Sequence, residues 1–426
     1  TARTGTVYTL DPDTRVTVTF DEETGTITAF DDPDHVLGIS GVTIPEQING
    51  VDVVAIGEGV FAGNDSLISI MPHFPFGSYG GSLYLPEGLK SIGERAFWGC
   101  ENLDFVSPPD SLETVGDYAF SYCSKLVEVL AQEMVSIGEY AFQACSALNT
   151  ISFTDALQTI GDYAFSSCSA LTGFAVPETV TEIPDGMFSG CENLQYVSLH
   201  DGITSIGYNA FSDCTSLQYS ADATGGQPAS PFALPERLET IGYCAFEGCV
   251  LLDTALPDGV QSIGYSAFEG TGLTTVTIPA SVASLGNSAF RDCENLESVE
   301  IRAALDSNGT GSSLFAGCTA LETVTLADGV TTVGESMFDG CTALESVALP
   351  DSVTGIGRGV FKDCTGLTAV SLPAAAEGIQ ISMFENCTSL QRIDIPAGVE
   401  AIYARAFYGC SALDEISIPS GIRQID

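Results

Sequence analysis

Apolar residues return along this chain in one fixed order. In "LTTVTIP" (Leu273 to Pro279) they alternate with polar ones, the period of a short strand with one buried face. A proline follows many such runs, at Pro86, Pro109, Pro177, Pro257, Pro279, Pro350, Pro373, Pro396 and Pro419. Lacking an N–H, it ends the ladder there. A second apolar pair then precedes a glycine, as in "VTGIG" (Val353 to Gly357), and predicts a second short strand. An Ala-Phe-x-x-Cys segment comes next. One helical turn there would set phenylalanine and cysteine on the same inward side.

Phenylalanine marks the period. It falls at Phe61, Phe97, Phe120, Phe142, Phe165, Phe188, Phe211, Phe246, Phe268, Phe290, Phe315, Phe338, Phe361, Phe384 and Phe407. Most steps are 22 or 23 residues. Each unit has too few apolar positions for a core of its own, so the units must stack to make a continuous one. The expected fold is a mainly β repeat solenoid of about 15 coils with strands stacked in parallel. The glycine before the Ala-Phe pair becomes Pro184, Gln380 or Tyr403 in three coils. Proline cannot take positive φ, so close approach of neighbouring backbone explains this glycine better than a left-handed conformation.

Residues 1–44 precede the first coil. Within them "VTVTFDEETGTITAF" (Val16 to Phe30) predicts a β-hairpin cap over the open end of the stack. The coils are expected over 45–426, with insertions near 71–86, 219–235 and 302–312 where the step lengthens. The last stretch, "IPSGIRQID", begins another coil, and further chain is expected to follow it. The opening "TARTGTVYTL" lacks the basic and apolar segments of a signal peptide.

Thirteen of the 14 cysteines occupy one repeat position; Asn64 and Thr271 fill it in two other coils. Zinc needs four converging ligands, which a ladder of parallel side chains does not offer. Stacked Cβ atoms would also sit wider than a disulfide prefers. Buried free thiols are therefore expected, packed as small apolar groups with a weak donor. Cys244 stands outside the ladder, where other coils carry Tyr118, Tyr140 or Arg405, and is expected to be the most reactive thiol. Those tyrosines, with Tyr163, should stack coil on coil.

Charge narrows the function. Acidic residues number 56 against 13 basic ones, a formal net of −43. Such a chain repels nucleic acid, whose binding needs lysine and arginine on phosphates. No run of 18 apolar residues exists to enter a bilayer. The three histidines, His35, His73 and His200, sit at unrelated positions, with no catalytic triad, phosphate loop or zinc motif. Acids near the N-terminus match no calcium-loop spacing. The expectation is a non-enzyme with no cofactor and no metal.

The pattern I-G-x-x-A-F-x-x-C-x-x-L-x-x-V-x-I-P, from about Ile56 to Pro419, resembles the BspA-like branch of the leucine-rich repeats, widespread in bacterial surface proteins. The resemblance implies a right-handed leucine-rich-repeat coil. It also implies export to a bacterial cell surface or the extracellular space, and adhesion to host matrix, mucin or other cells, by binding protein or glycan ligands. The other reading is a structural spacer or surface-layer component that displays another domain. For a ligand, two regions offer aromatics. On the outward face of the sheet Phe105, Tyr196 and Tyr219 break a run of small polar residues. In the first two insertions Phe74, Phe76, Tyr79, Tyr84 and Phe232 would be partly exposed, unless they fold back as lids on the core.

Overall fold

The computed structural model describes residues 5–10, 15–72, 81–130, 133–154, 156–221 and 228–426. Two compact units divide the chain: 1–198 with 221–228, and 199–220 with 229–426. Both are β-solenoids.

The first unit opens with three antiparallel strands, β1 (Thr6–Thr9), β2 (Thr17–Asp21) and β3 (Thr26–Asp31). The expected hairpin is β2–β3, and β1 adds a strand outside it. Val16, Val18, Phe20, Ile27 and Ala29 point into the core, as their alternation demands. β3 then turns from cap to coil: Thr26 and Ile27 pair in parallel with Ala55 and Ile56. Phe30 places its ring 4.7 Å from that of Phe61, closing the end of the phenylalanine stack.

Two parallel ladders climb this unit. One joins Ala55–Ile56, Ser91–Ile92, Thr114–Val115, Ser136–Ile137 and Thr159–Ile160, each pairing with the next. The other joins Ser69–Pro72, Phe105–Val106, Glu128–Leu130 and Thr150–Ser152. The first insertion contributes to this second ladder. After it, Ser82–Leu85 pairs with Ser69–Pro72 on one side and with Val42–Thr43 on the other. That extra strand is wholly buried, so Tyr84 is core (3% exposed) rather than a loop aromatic. The second unit repeats the arrangement, for example through Thr275–Ile278, Ser298–Ile301 and Thr323–Leu326.

The Ala-Phe-x-x-Cys segment is a run of turns, not the expected helical turn. φ is positive two residues before every marker phenylalanine and again two residues after it. Arg95 and Gly99 flank Phe97; Tyr140 and Ala144 flank Phe142; Cys244 and Gly248 flank Phe246. Two left-handed residues in each coil forbid a helix. They divide the backbone donors between two partners. Arg95, Phe97 and Gly99 donate N–H to Asp117, Ala119 and Ser121 of the next coil at 2.8–2.9 Å, while Trp98 and Cys100 donate to Arg95 and Phe97 of their own. The side chains still face as expected: the phenylalanine rings stack at 5.1–6.1 Å between centroids. The glycine before the Ala-Phe pair has no positive φ. A Cβ on Gly116 would lie 2.9 Å from the Glu94 nitrogen, and on Gly138 2.5 Å from that of Asp117. Close backbone approach is thus its reason.

The left-handed sites give a stability test. Ala144 has φ of 57° where other coils use glycine. Ala144→Gly is expected to stabilise by up to about 1 kcal/mol, since the left-handed penalty exceeds the added chain entropy, and Ala144→Val to destabilise by more than that. Urea midpoints of the two variants check the opposite signs.

Candidate functional site

The cysteine ladder is structural. Twelve of the 14 thiols are buried, and Cys244 and Cys410 half-buried. Within each unit, ladder thiols donate to the carbonyl of the marker phenylalanine one coil earlier: Cys123 Sγ to Phe97 O at 3.2 Å, Cys145 to Phe120 O at 3.2 Å, Cys364 to Phe338 O at 3.0 Å. Thr271 uses its hydroxyl differently, donating to Phe268 O of its own coil at 2.8 Å. Burial pushes the Cys145 and Cys191 thiols up to about 12. Among the described residues no group of three or more His, Cys, Asp or Glu is placed to hold a metal ion.

Cys244 is accessible but not activated. Partial burial, a hydrogen bond with Glu247 and the charges of Glu247 and Glu269 push its thiol up to about 12. Exposure alone pointed to a reactive thiol; burial first, and then the carboxylates around it, hold the proton on. Tyr118, Tyr140 and Tyr163 stack as expected, at 4.8 and 5.0 Å between centroids, with the Arg95 guanidinium 4.8 Å above the Tyr118 ring.

The sheet-face aromatics do not converge. Phe105 is half-buried between Ser69 and Glu128 of the flanking strands. Tyr196, on another sheet of the same unit, is half-buried and lays its ring over Gly173, its partner in register. Tyr219 is exposed and belongs to the second unit. Phe74, Phe76 and Tyr79 lie outside the described residues. Phe232 is a lid residue and not a surface aromatic: it is 3% exposed, packs edge-on against Phe246 at 6.1 Å, and its N–H bonds to Gln218 O. Burying its ring removes roughly 2–3 kcal/mol of apolar surface from water, which outweighs keeping it out for a ligand.

Exposed aromatics gather instead on the turns. In the second unit Tyr208, Tyr243 and Tyr265 stand at one repeat position, three before the phenylalanine, on successive coils. Most other coils carry an acid or a small polar residue there, such as Glu94, Asp117, Glu139 or Asn287. Aligning the coils on phenylalanine would have found the stripe; counting sheet-face positions passed over it. Tyr243 is 62% exposed, and its ring edge reaches across Gly264, where a Cβ would meet it at 2.5 Å. Beyond Tyr265 the stripe ends in a cleft of about 420 Å³, lined by Tyr243, Tyr265, Asn287, Asn308 and Thr310 among others. The third insertion builds its far wall. There the Asp306 carboxylate accepts N–H bonds from Asn308 and Gly309 at 2.8 and 2.9 Å, which hold its pKa below the ordinary value. Leu285 N–H donates to Gly309 O, fixing the loop to the coil. The Thr310 hydroxyl is buried with no hydrogen-bond partner. Such a combination, exposed rings leading to amides and a hydroxyl, can bind a protein side chain or a sugar. It holds no nucleophile–base pair.

Comparison places the chain. The family described as "BspA type Leucine rich repeat region (6 copies)" matches residues 77–169, 125–221, 226–342 and 308–426. The chain belongs to this family. A leucine-rich repeat protein from Bacteroides ovatus is similar in structure, at 28% identity over 95% of this chain and 93% of that one, with a TM-score of 0.67. A leucine rich cell surface protein from Faecalibacterium prausnitzii is 25% identical over 92% of this chain and 96% of its own, with a TM-score of 0.49. No curated protein matches. Among the described residues no helix is long and apolar enough to cross a membrane.

Thiol chemistry checks the Cys244 environment. With its pKa near 12, native Cys244 should label slowly with maleimide at pH 8, because on the order of one molecule in 10⁴ is thiolate there. Removing both charges with Glu247→Gln and Glu269→Gln should accelerate labelling at that pH; equal rates would mean that the carboxylates do not control the thiol.

Proposed function

We propose that this chain is a recognition module on the surface of a bacterial cell, binding a protein or glycan ligand of host matrix, mucin or another cell. Adhesion is the outcome that follows. Membership of a repeat family whose form suits protein interaction supports the reading. The observation that carries it is the stripe of Tyr208, Tyr243 and Tyr265, set on a rigid ladder and running into a cleft. Tyrosine gives large contact area at small entropic cost and is enriched at binding hot spots. Three such rings do not raise stability by staying in water. The stripe takes over from Phe105 and Tyr196, which are half-buried, as the principal contact surface.

The test is a binding screen of the purified chain against matrix proteins, mucins, glycans and intact bacterial cells at physiological salt, where a net −43 does not score through charge alone. Changing Tyr208, Tyr243 and Tyr265 to serine together should weaken a saturable hit by at least about 30-fold, the loss of roughly 2 kcal/mol expected for a hot spot. The same change at Phe105, Tyr196 and Tyr219 should matter less. Unchanged affinity in the first triple variant would defeat the stripe as the site. A blank across all ligands would favour the spacer reading.

A further inference from the structure

The first unit carries a second aromatic cleft that the tyrosine stripe does not involve. Trp98 and Tyr122 come from consecutive coils, one residue after Phe97 and two after Phe120. Their rings meet at 6.0 Å with an interplanar angle of 70°. They are 42% and 50% exposed, so both are large apolar groups held at the surface. Tyr122 is one of the left-handed residues, with φ of 64°, a conformation unfavourable for a residue with a Cβ. Glycine stands at this position in several coils, as at Gly63 and Gly99. The two rings form one corner of a cleft of about 400 Å³, and the carboxylates of Asp65 and Glu101 and the amide of Asn102 complete its lining.

The two carboxylates of that cleft form no direct ion pair among the described residues. Among the described residues no lysine or arginine pairs with Asp65 or Glu101; Lys125, the basic group beside the cleft, directs its Nζ to Asn102 Oδ1 at 2.7 Å. Asn102 is fixed in turn by donating to the Asp65 carbonyl at 2.8 Å. Two ring planes at 70°, with carboxylates beside them, make a negative corner. The chain already places cations on rings elsewhere, with Arg95 over Tyr118 and Arg405 4.6 Å over Tyr408. Anions are disfavoured by the two carboxylates and by the net charge of −43. The amide oxygen of Asn102 is already taken by the Lys125 ammonium, whereas a quaternary ammonium needs no acceptor, only ring faces and opposite charge.

We propose that the Trp98–Tyr122 cleft binds a quaternary ammonium group of the choline type. The methyl groups pack on the two rings, and Asp65 and Glu101 supply the counter-charge. No covalent step is involved. The site lies in the other unit from Tyr208, Tyr243 and Tyr265, so it stands whether or not the stripe binds a ligand.

Trp98 is the one tryptophan of the chain, which makes the protein its own reporter. Titration with choline chloride should change its fluorescence saturably, with a dissociation constant on the order of 1 mM, as two cation–π contacts and partly screened carboxylates allow. The neutral isostere 3,3-dimethylbutan-1-ol and sodium chloride at matched concentration should leave the signal unsaturated. Asp65→Asn with Glu101→Gln should weaken choline binding at least about five-fold, and these exposed changes should leave the circular dichroism intact. Tyr122→Gly keeps the left-handed backbone while removing one ring, and should weaken it similarly. An isostere that saturates like choline would reduce the cleft to an apolar one and overturn the proposal. So would a linear choline response, or full binding by the carboxylate variant.

Discussion

The carbonyl oxygen of each marker phenylalanine is where a coil meets its neighbour. In most coils it accepts the N–H of the cysteine three residues on, closing a turn within the coil, and the thiol of the next coil's cysteine. Phe97 O, for example, takes Cys100 N–H at 3.2 Å and Cys123 Sγ at 3.2 Å. A carbonyl has two lone pairs, and buried in an apolar stack it needs both answered. Serine at this position would set its oxygen too close to satisfy the same span, since a sulfur sits farther out and tolerates longer contacts. The close glycine approach in the ladder beside it fixes the coil spacing. The ring stack, the strand pairing and the left-handed flanks all follow from that spacing.

Once the spacing is set, the surface is divided by chemistry. Strand positions facing outward are framed by neighbours on both sides, and an aromatic placed there lies down: Tyr196 over Gly173 is the case in point. Turn positions have a neighbour along the stack but less cover elsewhere. Aromatics placed there either stack half-buried, as Tyr118, Tyr140 and Tyr163 do, or stay exposed, as Trp98, Tyr122, Tyr243 and Tyr265 do. Exposed aromatic surface therefore collects on the turns, where one substitution per coil adds one ring without disturbing a ladder.

Much of this was legible in the residues. The period, the parallel ladders, the cap hairpin and the buried thiols were all written in spacing, because a repeated contact leaves a repeated residue. Three things were not. The turn around phenylalanine reads as helical by spacing, since Phe97 and Cys100 fall on one side either way; only φ tells it apart, and residues as different as Arg95, Tyr118 and Ser313 share the left-handed state. Tyr84 and Phe232 look like loop aromatics until the chain that follows them is seen to rejoin the sheet or cover Phe246. The environment of Cys244 depends on Glu247 and Glu269, of which the second arrives from the next coil.

The ladder thiols carry one more implication. A chain rich in cysteine ordinarily ties its fold to an oxidant and a pairing order, and a wrong pair traps it. Here the ladder sulfurs are free thiols, nearly all of them buried and many donating to a carbonyl, and none is asked to form a bond to another sulfur. The finished stack thus holds together without a disulfide. It can be assembled without a disulfide-forming catalyst, and its buried thiols keep the same covalent state in reducing and oxidising surroundings.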